Sequence, residues 1–317
     1  TVERISGKSW DQALLDAVNT PNFPAAEQAL ELLIARVPQD RLRAQVGAMQ
    51  APTDVVLALQ VLIRRFDYFP MSRPAILGSM ALGKTPPAQL EDASRLAADW
   101  RQNYGYLFDV RDFHLLNELA RDPMRKNLRR TQLILELARS FINRPHVPRK
   151  ILRASGPYDF SDQLSKHVDS LSMADLWNLL IVNEMLSRSQ VQMALKRMAD
   201  LDLADTRIAW GGLIFYESGQ AEARLYPADT SAGADDLTYR PSAQLLKDGR
   251  ASLCRFFGHF EKVNNAGRAG PTSDEIRRAA EENACGLVLT RVSAESFCAH
   301  YFNPKGLVIS LGTLPLR

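Results

Sequence analysis

The residues best suited to chemistry lie in one stretch near the C-terminus, Phe256 to Glu275, which reads FFGHFEKVNNAGRAGPTSDE. The start of this stretch is predicted to be a strand. His259 and Glu261 are two residues apart, so their side chains are expected on the same face. A polar loop and the first turn of a predicted helix follow. These elements could bring four metal-ligating side chains to one divalent ion: His259, Glu261, Asp274 and Glu275.

The predicted helix begins with a pattern that also has a purely structural interpretation. Thr272 stands three residues before Glu275, which is the spacing of a capping box. In a capping box each side chain accepts a hydrogen bond from the other residue's backbone N–H. Glu275 is therefore a candidate metal ligand and a candidate helix cap at the same time.

These residues carry a resemblance to a known family. From Arg207 to about Leu314, a third of the chain, the sequence resembles the JAB/MPN (JAMM) metalloprotease-like domains, especially their bacterial branches. The similar segments are a strand with a Gly pair, Gly211-Gly212, the segment ending at Glu261, and the segment Gly270 to Glu275. Active members of that family carry E-x-GG, H-x-H and S-x-x-D. There, two His and the Asp hold zinc, the Glu is the general base, and the Ser supports the oxyanion.

The chain departs from the family pattern at most of these positions. Ala209 stands where the family has the general base, and Glu261 stands where it has the second His. Thr272 replaces the Ser, and Glu275 replaces the Asp. Of the residues that hold zinc or act in catalysis in the family, His259 alone is kept. The resemblance therefore implies a catalytically degenerate domain.

His259, Glu261 and Glu275 would form a set of one His and two carboxylates. Such a ligand set suits harder ions better than zinc. Glu217 and Thr272 are the degenerate catalytic candidates, but Glu217 lies about 26 Å along the strand from Ala209 at ordinary strand rise. We expect no cofactor, with a divalent metal, zinc or a harder ion, as the alternative.

The elements that would position this site follow an abrupt change near residue 205. Residues 1–205 are predicted to be all-helical, with apolar helical runs separated by prolines, and Ser172 is a predicted N-cap. Either an irregular bundle or a curved, HEAT-like array of helices fits, since no fixed repeat is found. Residues 206–317 are predicted to form a small α+β domain with a JAB/MPN-like fold. The fold class is thus multidomain.

Two other patterns could bind anions. Gly78 to Thr85 (GSMALGKT) matches the phosphate-loop pattern, but no strand precedes it and Pro86 follows it, so we expect a loop between helices and no nucleotide. Arg121 to Arg153 holds ten basic and two acidic residues. Phe141 is its one aromatic residue, so we do not expect nucleic acid. The candidates for binding an anion or an acidic partner are Arg125, Lys126, Arg129, Arg130, Arg149 and Lys150, and the alternative is a solvated helix face.

Composition sets outer limits on function. The net charge is +3 and 46% of residues are apolar, which is ordinary for a globular protein. No apolar stretch is long enough for a membrane span. The chain starts at Thr1 rather than Met, which is typical of a trimmed or processed protein, and localisation stays open. We therefore predict a non-catalytic interaction or scaffold protein with unidentified protein partners. A metal-dependent peptidase or isopeptidase with a non-standard His/Glu/Asp site is the alternative.

Overall fold

The structure is a computed structural model that describes residues 8–83, 85–153, 156–160, 162–205, 208–217, 220–229, 239–249 and 252–317. Side chains are described at all of these positions except 81, 150–153, 156–160 and 221. The chain divides into two compact units, Thr1–Arg121 and Asp122–Arg317. Within the described residues, no helix combines the length and the apolar character that crossing a membrane requires.

The first unit is built from helices. They are α1 (Trp10–Val18), α2 (Phe23–Ile34), α3 (Gln39–Ala48), α4 (Asp54–Phe66), α5 (Arg73–Leu82), α6 (Pro87–Tyr104) and α7 (Phe113–Ala120), with a 3₁₀ turn at Val110–Asp112. Their apolar faces meet in an aliphatic core that includes Leu15, Leu30, Leu33, Leu42, Val46 and Leu59. This burial is the main source of stability for helices of this length.

The helix boundaries follow from local chemistry. Asn22 caps α2, because its side chain accepts a hydrogen bond from the backbone N–H of Ala25 at 3.3 Å. Pro87 occupies the first turn of α6, where a missing N–H costs nothing. Gly105 ends the same helix with a φ of +65°, a left-handed conformation that glycine adopts without strain.

The second unit begins with helices and one hairpin. The helices are α8 (Arg130–Phe141), α9 (Leu164–His167), α10 (Met173–Met185) and α11 (Ser189–Ala204), with a 3₁₀ turn at Val168–Ser170. Ser172 caps α10, as predicted, by accepting from the backbone N–H of Asp175 at 3.0 Å. The hairpin pairs β1 (Arg149–Arg153) with β2 (Gly156–Phe160). This short hairpin interrupts the helical region at a segment where Pro145, Pro148 and Pro157 disfavour a helix.

The second unit continues with a sheet. Within the described residues its strands are β3 (Trp210–Glu217), β4 (Gln220–Pro227), β5 (Cys254–His259), β6 (Gly286–Ser293), β7 (Ser296–Phe302) and β8 (Val308–Pro315). Their spatial order is β4-β3-β5-β6-β7-β8. β5 and β6 are parallel, and the other neighbouring pairs are antiparallel. The helix α13 (Ser273–Glu282) connects the parallel pair, and α12 (Ala243–Asp248) precedes β5.

Each face of this sheet has its own helical cover. On one face α11 lies against β5, since the carboxylate of Asp202 accepts a hydrogen bond from the backbone N–H of Phe260 at 2.8 Å. On the other face Phe257 and Val288 share an apolar cluster with Ala279 of α13 and Leu245 of α12. The predicted order, a helical region followed by an α+β region, is confirmed. The predicted domain boundary after residue 205 stays a prediction, and the change from helix to sheet lies inside the second compact unit.

Candidate functional site

The site begins at the Gly pair of β3. Gly211 lies opposite Phe257 in the antiparallel register with β5. Extending this register towards the start of β3 puts Ala209 level with His259. Ala209 is buried, and its methyl group offers no proton acceptor. Glu217 lies at the other end of β3, opposite Gln220 of β4 and exposed to solvent, so the structure does not bring it to this site.

His259 ends β5 with a buried imidazole. Its ring lies edge-on to Phe257, with centroids 6.1 Å apart. Burial and the charge of Arg268 lower the pKa of His259 to about 4, although Glu261 opposes the shift. The ring is therefore neutral at pH 7, which is the form that can bind a metal ion.

Glu261 has two internal partners. Its Oε1 accepts hydrogen bonds from Arg268 Nη1 and from Asn265 Nδ2, both at 2.6 Å. Burial alone would raise its pKa, but these bonds and the charge of Arg268 hold the pKa of Glu261 below its ordinary value. The carboxylate is thus ionised and already compensated. A metal ion bound at Oε1 would have to displace these two donors.

The start of α13 is occupied by the predicted capping box. Thr272 Oγ1 accepts from the backbone N–H of Glu275 at 3.3 Å, and Glu275 Oε2 accepts from the backbone N–H of Thr272 at 2.7 Å. Burial raises the pKa of Glu275, although its bonds to Thr272 oppose the rise. Asp274 points to solvent, with its side chain 76% exposed and 3.4 Å from Arg277.

The four candidate ligands therefore differ in their surroundings. His259 and Glu275 are buried, Glu261 is ion-paired, and Asp274 is exposed. Among the described residues, no group of three or more His, Cys, Asp or Glu side chains is arranged to hold a metal ion. The residues present fit a structural role better than a metal centre.

The basic run has several partners within its own unit. Arg125 pairs with Glu184 at 2.7 Å, and Arg149 forms a buried ion pair with Asp162 at 3.0 Å. Arg130 donates to the backbone carbonyls of Leu171 and Val168. These three side chains are therefore bonded to other residues of the folded protein. Glu184, Leu171 and Val168 lie 59, 41 and 38 residues from the side chains that they hold, so spacing alone could not reveal these contacts.

Lys126, Arg129 and Arg139 are exposed. Of these three, only Arg139 lies in α8. Two apolar residues of the same segment are also exposed: Leu135 is 55% exposed, and Ile142, just after the helix, is 79% exposed. Residues seven apart lie on one helix face. Among the described residues of the predicted anion-binding region, α8 therefore presents an exposed face that is both basic and apolar. Lys150 lies in β1, and its side chain is outside the described residues.

The phosphate-loop pattern lies in a different setting from the one its chemistry requires. Gly78 is inside α5, which continues to Leu82, so the loop expected here is in part a helix. Backbone N–H groups inside a helix are bonded within it and cannot surround a phosphate. No strand is found among residues 8–83, and Lys84 lies outside the described residues.

Burial disfavours the nucleophilic thiolate form of Cys254 and Cys298. Cys254, Cys285 and Cys298 are buried and are not joined in disulfides. Burial raises the pKa of the Cys298 thiol to about 11 and that of Cys254 well above its ordinary value. A thiol with a raised pKa is a weak nucleophile at pH 7.

One group of residues was missed by sequence reasoning. Tyr239, Arg255 and Arg278 line a cavity together with Glu275. They come from a loop, a strand and a helix, and no motif joins them. Only the spacing of Glu275 and Arg278, three residues apart in a helix, could have hinted that they share a face.

Comparison with known proteins adds no relative: no family model, no curated protein and no solved structure matches the chain. The JAMM resemblance therefore rests on the residues given above.

Proposed function

We propose that this chain is a non-catalytic interaction protein that combines a helical platform with a degenerate JAMM-like module. The observation that carries this proposal is the state of Glu261, the residue at the second His position of the resemblance. Its carboxylate is bound by Arg268 and Asn265. A group held in this way stabilises its loop and is poorly available to a metal ion.

The neighbouring positions support the same conclusion. Ala209 supplies a methyl group where a general base would be needed, and Thr272 and Glu275 bond each other's backbone. At the position where the resemblance has its general base, Ala209 therefore offers nothing to take a proton from a water molecule. The module keeps the framework of the resemblance without its chemistry.

The partner we propose is a protein segment with acidic and apolar side chains. It would dock on the outer face of α8, where Leu135 and Ile142 are exposed beside Arg139. Exposed apolar residues on one helix face contribute binding free energy, and the basic rim selects an acidic partner.

A metal titration tests the non-catalytic part. The full chain is dialysed against chelator and titrated with Zn²⁺, Mn²⁺ and Ni²⁺, and bound metal is counted by mass spectrometry. We expect no stoichiometric binding in the wild type, in His259→Ala, or in the control His167→Ala. One bound equivalent that is lost only in His259→Ala would overturn the proposal in favour of the metal-dependent hydrolase.

An affinity purification tests the interaction part. The tagged chain is incubated with an extract of the producing organism, and captured proteins are quantified for the wild type and for Leu135→Asp/Ile142→Asp. We expect an acidic partner that the double variant loses and that the control Thr131→Asp, on the same helix, retains. Equal capture by all three proteins would exclude α8 as the docking face.

The alternative, a metal-dependent peptidase, is favoured by one observation. The neutral ring of His259, with its pKa at about 4, is a competent metal ligand. The same titration decides between the two functions.

A further inference from the structure

The two edges of the sheet in the second unit differ in how they are covered. At the β8 edge, the backbone N–H of Ser310 donates to the carbonyl of Asp162 at 2.8 Å. The N–H of Thr313 donates to the carbonyl of Pro145 at the same distance. At the opposite edge, no strand among the described residues pairs with the free side of β4. An open edge strand is a template for pairing with another chain.

The register with β3 defines which groups of β4 lie on its free side. Ala228, just after β4, donates its N–H to the carbonyl of Ala209 at 3.0 Å, in the register of the β3–β4 pair. Bonded and unbonded positions alternate along an antiparallel strand, so the even-numbered residues of β4 bond to β3. The backbone N–H and C=O groups of Ala221, Ala223 and Leu225 therefore point away from the sheet.

Two exposed charges of opposite sign lie on β4. Glu222 and Arg224 are two residues apart, so their side chains share one face of the sheet. They form an ion pair at 2.7 Å, with the side chains 57% and 51% exposed. The guanidinium of Arg224 also lies over the ring of Phe215, 4.4 Å from its centroid. The strand thus carries one acid and one base placed symmetrically about Ala223.

These charges select one register for pairing between two copies of β4. A two-fold axis at Glu222 would set two glutamates opposite each other, and an axis at Arg224 would set two arginines opposite each other. Like charges at such positions are destabilising. An axis at Ala223 instead sets Glu222 of each copy opposite Arg224 of the other. In the same register the outward backbone groups of Ala221 and Leu225 lie opposite each other, and those of Ala223 lie opposite their own counterpart.

A groove beside this edge offers apolar surface to the same partner. Its volume is about 550 Å³, and it lies between α11 and the strands β3 and β4. Its apolar lining comes from Met193 and Leu201 of α11 and from Trp210 and Leu225 of the strands, and the exposed Arg197 lines it as well. Met193 is 63% exposed. A strand added to β4 would extend the floor of this groove and cover part of its apolar lining, which favours association.

We propose that two copies of this chain form a symmetric dimer through the free edges of β4, with the antiparallel β4–β4 ladder centred on Ala223. A two-fold contact uses the same patch on both copies, so a strand that is complementary to itself closes the assembly. The outward backbone groups of both strands are then bonded, and Glu222 and Arg224 pair across the axis. This contact does not involve α8, so the dimer and the proposed docking on α8 can fail independently.

Sedimentation equilibrium of the full chain tests the dimer. From about 1 to 300 µM protein, we expect the mass to rise from that of the monomer, 35.4 kDa, towards twice that value. Glu222→Arg and Arg224→Glu each set like charges opposite each other, so each should raise the dimer Kd about tenfold or more. The double variant Glu222→Arg/Arg224→Glu restores opposite charges and should return the Kd to within about threefold of the wild type.

A matched control separates this effect from a general effect of charge. Arg277→Glu makes the same reversal as Arg224→Glu at an exposed position of α13, and it should leave the Kd unchanged. Far-UV circular dichroism verifies that every variant is folded.

A cysteine at position 223 tests the register. Residues opposite each other in a hydrogen-bonded antiparallel pair have Cα atoms about 5.5 Å apart, which a disulfide can span. Ala223→Cys should therefore give a disulfide-linked dimer on mild oxidation, seen on a non-reducing gel. Leu225→Cys is the matched control on the same strand, because its counterpart in the other copy would lie roughly 13 Å away along the ladder. It should stay monomeric on the same gel.

Three results would overturn the proposal. The first is a monomer at every concentration up to about 300 µM. The second is a dimer whose Kd is unchanged by the single charge reversals or is not restored in the double variant. The third is cross-linking of Leu225→Cys as readily as Ala223→Cys, which would place the copies in another register.

Discussion

Tyr301 of β7 donates its hydroxyl to the carboxylate of Asp175, 126 residues earlier in α10, at 3.2 Å. Asn303 donates to the same oxygen at 3.1 Å, and the other carboxylate oxygen accepts from the backbone N–H of Ser172. Asp175 is 1% exposed. One buried carboxylate therefore caps a helix and ties that helix to the sheet.

This network predicts a loss of stability in Tyr301→Phe. The change removes a buried donor to a charged acceptor, so we expect a decrease of about 1.5–3 kcal/mol in the free energy of unfolding. Urea denaturation measures it. The control Tyr104→Phe, at the end of α6, should stay within about 0.5 kcal/mol of the wild type. Equal stability of Tyr301→Phe and wild type would mean that the network contributes little.

The Gly pair of β3 predicts a steric effect. A Cβ at position 211 would lie 2.6 Å from the backbone oxygen of Phe256 and 2.7 Å from the ring of Tyr239. Gly211→Ala should therefore destabilise the protein by about 1–3 kcal/mol through overpacking. Gly267→Ala is the matched control, since nothing lies within 4 Å of its added Cβ. Thermal unfolding compares the two, and an equal melting temperature would contradict this packing.

Whether a feature could be predicted from the sequence depends on how far apart its interacting residues lie along the chain. The N-cap at Ser172 and the capping box at Thr272 could be predicted because the partners in each lie within four residues. The switch near residue 205 could be predicted because helices and strands differ in local periodicity. The hairpin at Arg149–Phe160 could not, because its basic residues resembled a solvated helix face.

In the candidate site, too, contacts outside the local sequence pattern could not be predicted. The spacing of His259 and Glu261 predicted one face, but it could not show that Arg268 neutralises Glu261. Arg149 was predicted to be free for anions, whereas Asp162, 13 residues away, binds it. The cavity of Tyr239, Arg255 and Arg278 depends on tertiary packing alone.

His300 predicts a pH dependence of stability. The ring is buried among Asp162, Arg149 and His146, and burial lowers the pKa of His300 from 6.5 to about 4. The unfolded chain takes up a proton at this ring more readily than the folded protein does. The contribution of the neutral His300 ring to stability is therefore complete above pH 6.5 and is lost as the pH falls towards 4.

The free energy of unfolding is expected to fall by about 3 kcal/mol, because a shift of one pKa unit corresponds to ~1.4 kcal/mol. Urea denaturation between these pH values measures it. His300→Phe should show a smaller decrease in stability than the wild type over the same range. Identical pH dependences would show that His300 is not a buried neutral ring.

We predict that the buried thiols react slowly with thiol reagents in the native protein. Cys254, Cys285 and Cys298 are reduced but buried, so an aromatic disulfide reagent at pH 8 should react slowly with native protein. Addition of guanidinium chloride should release all three thiols at once. Fast reaction of one thiol in the native state would indicate an activated, accessible cysteine.

The most direct test of the central claim is the metal content of the full chain after saturation with Zn²⁺ and gel filtration. With Glu261 held by Arg268 and a methyl group at Ala209, we predict metal well below one equivalent, equal in wild type and His259→Ala. One tightly bound equivalent in the wild type, absent from His259→Ala, would contradict the assignment of this module as non-catalytic.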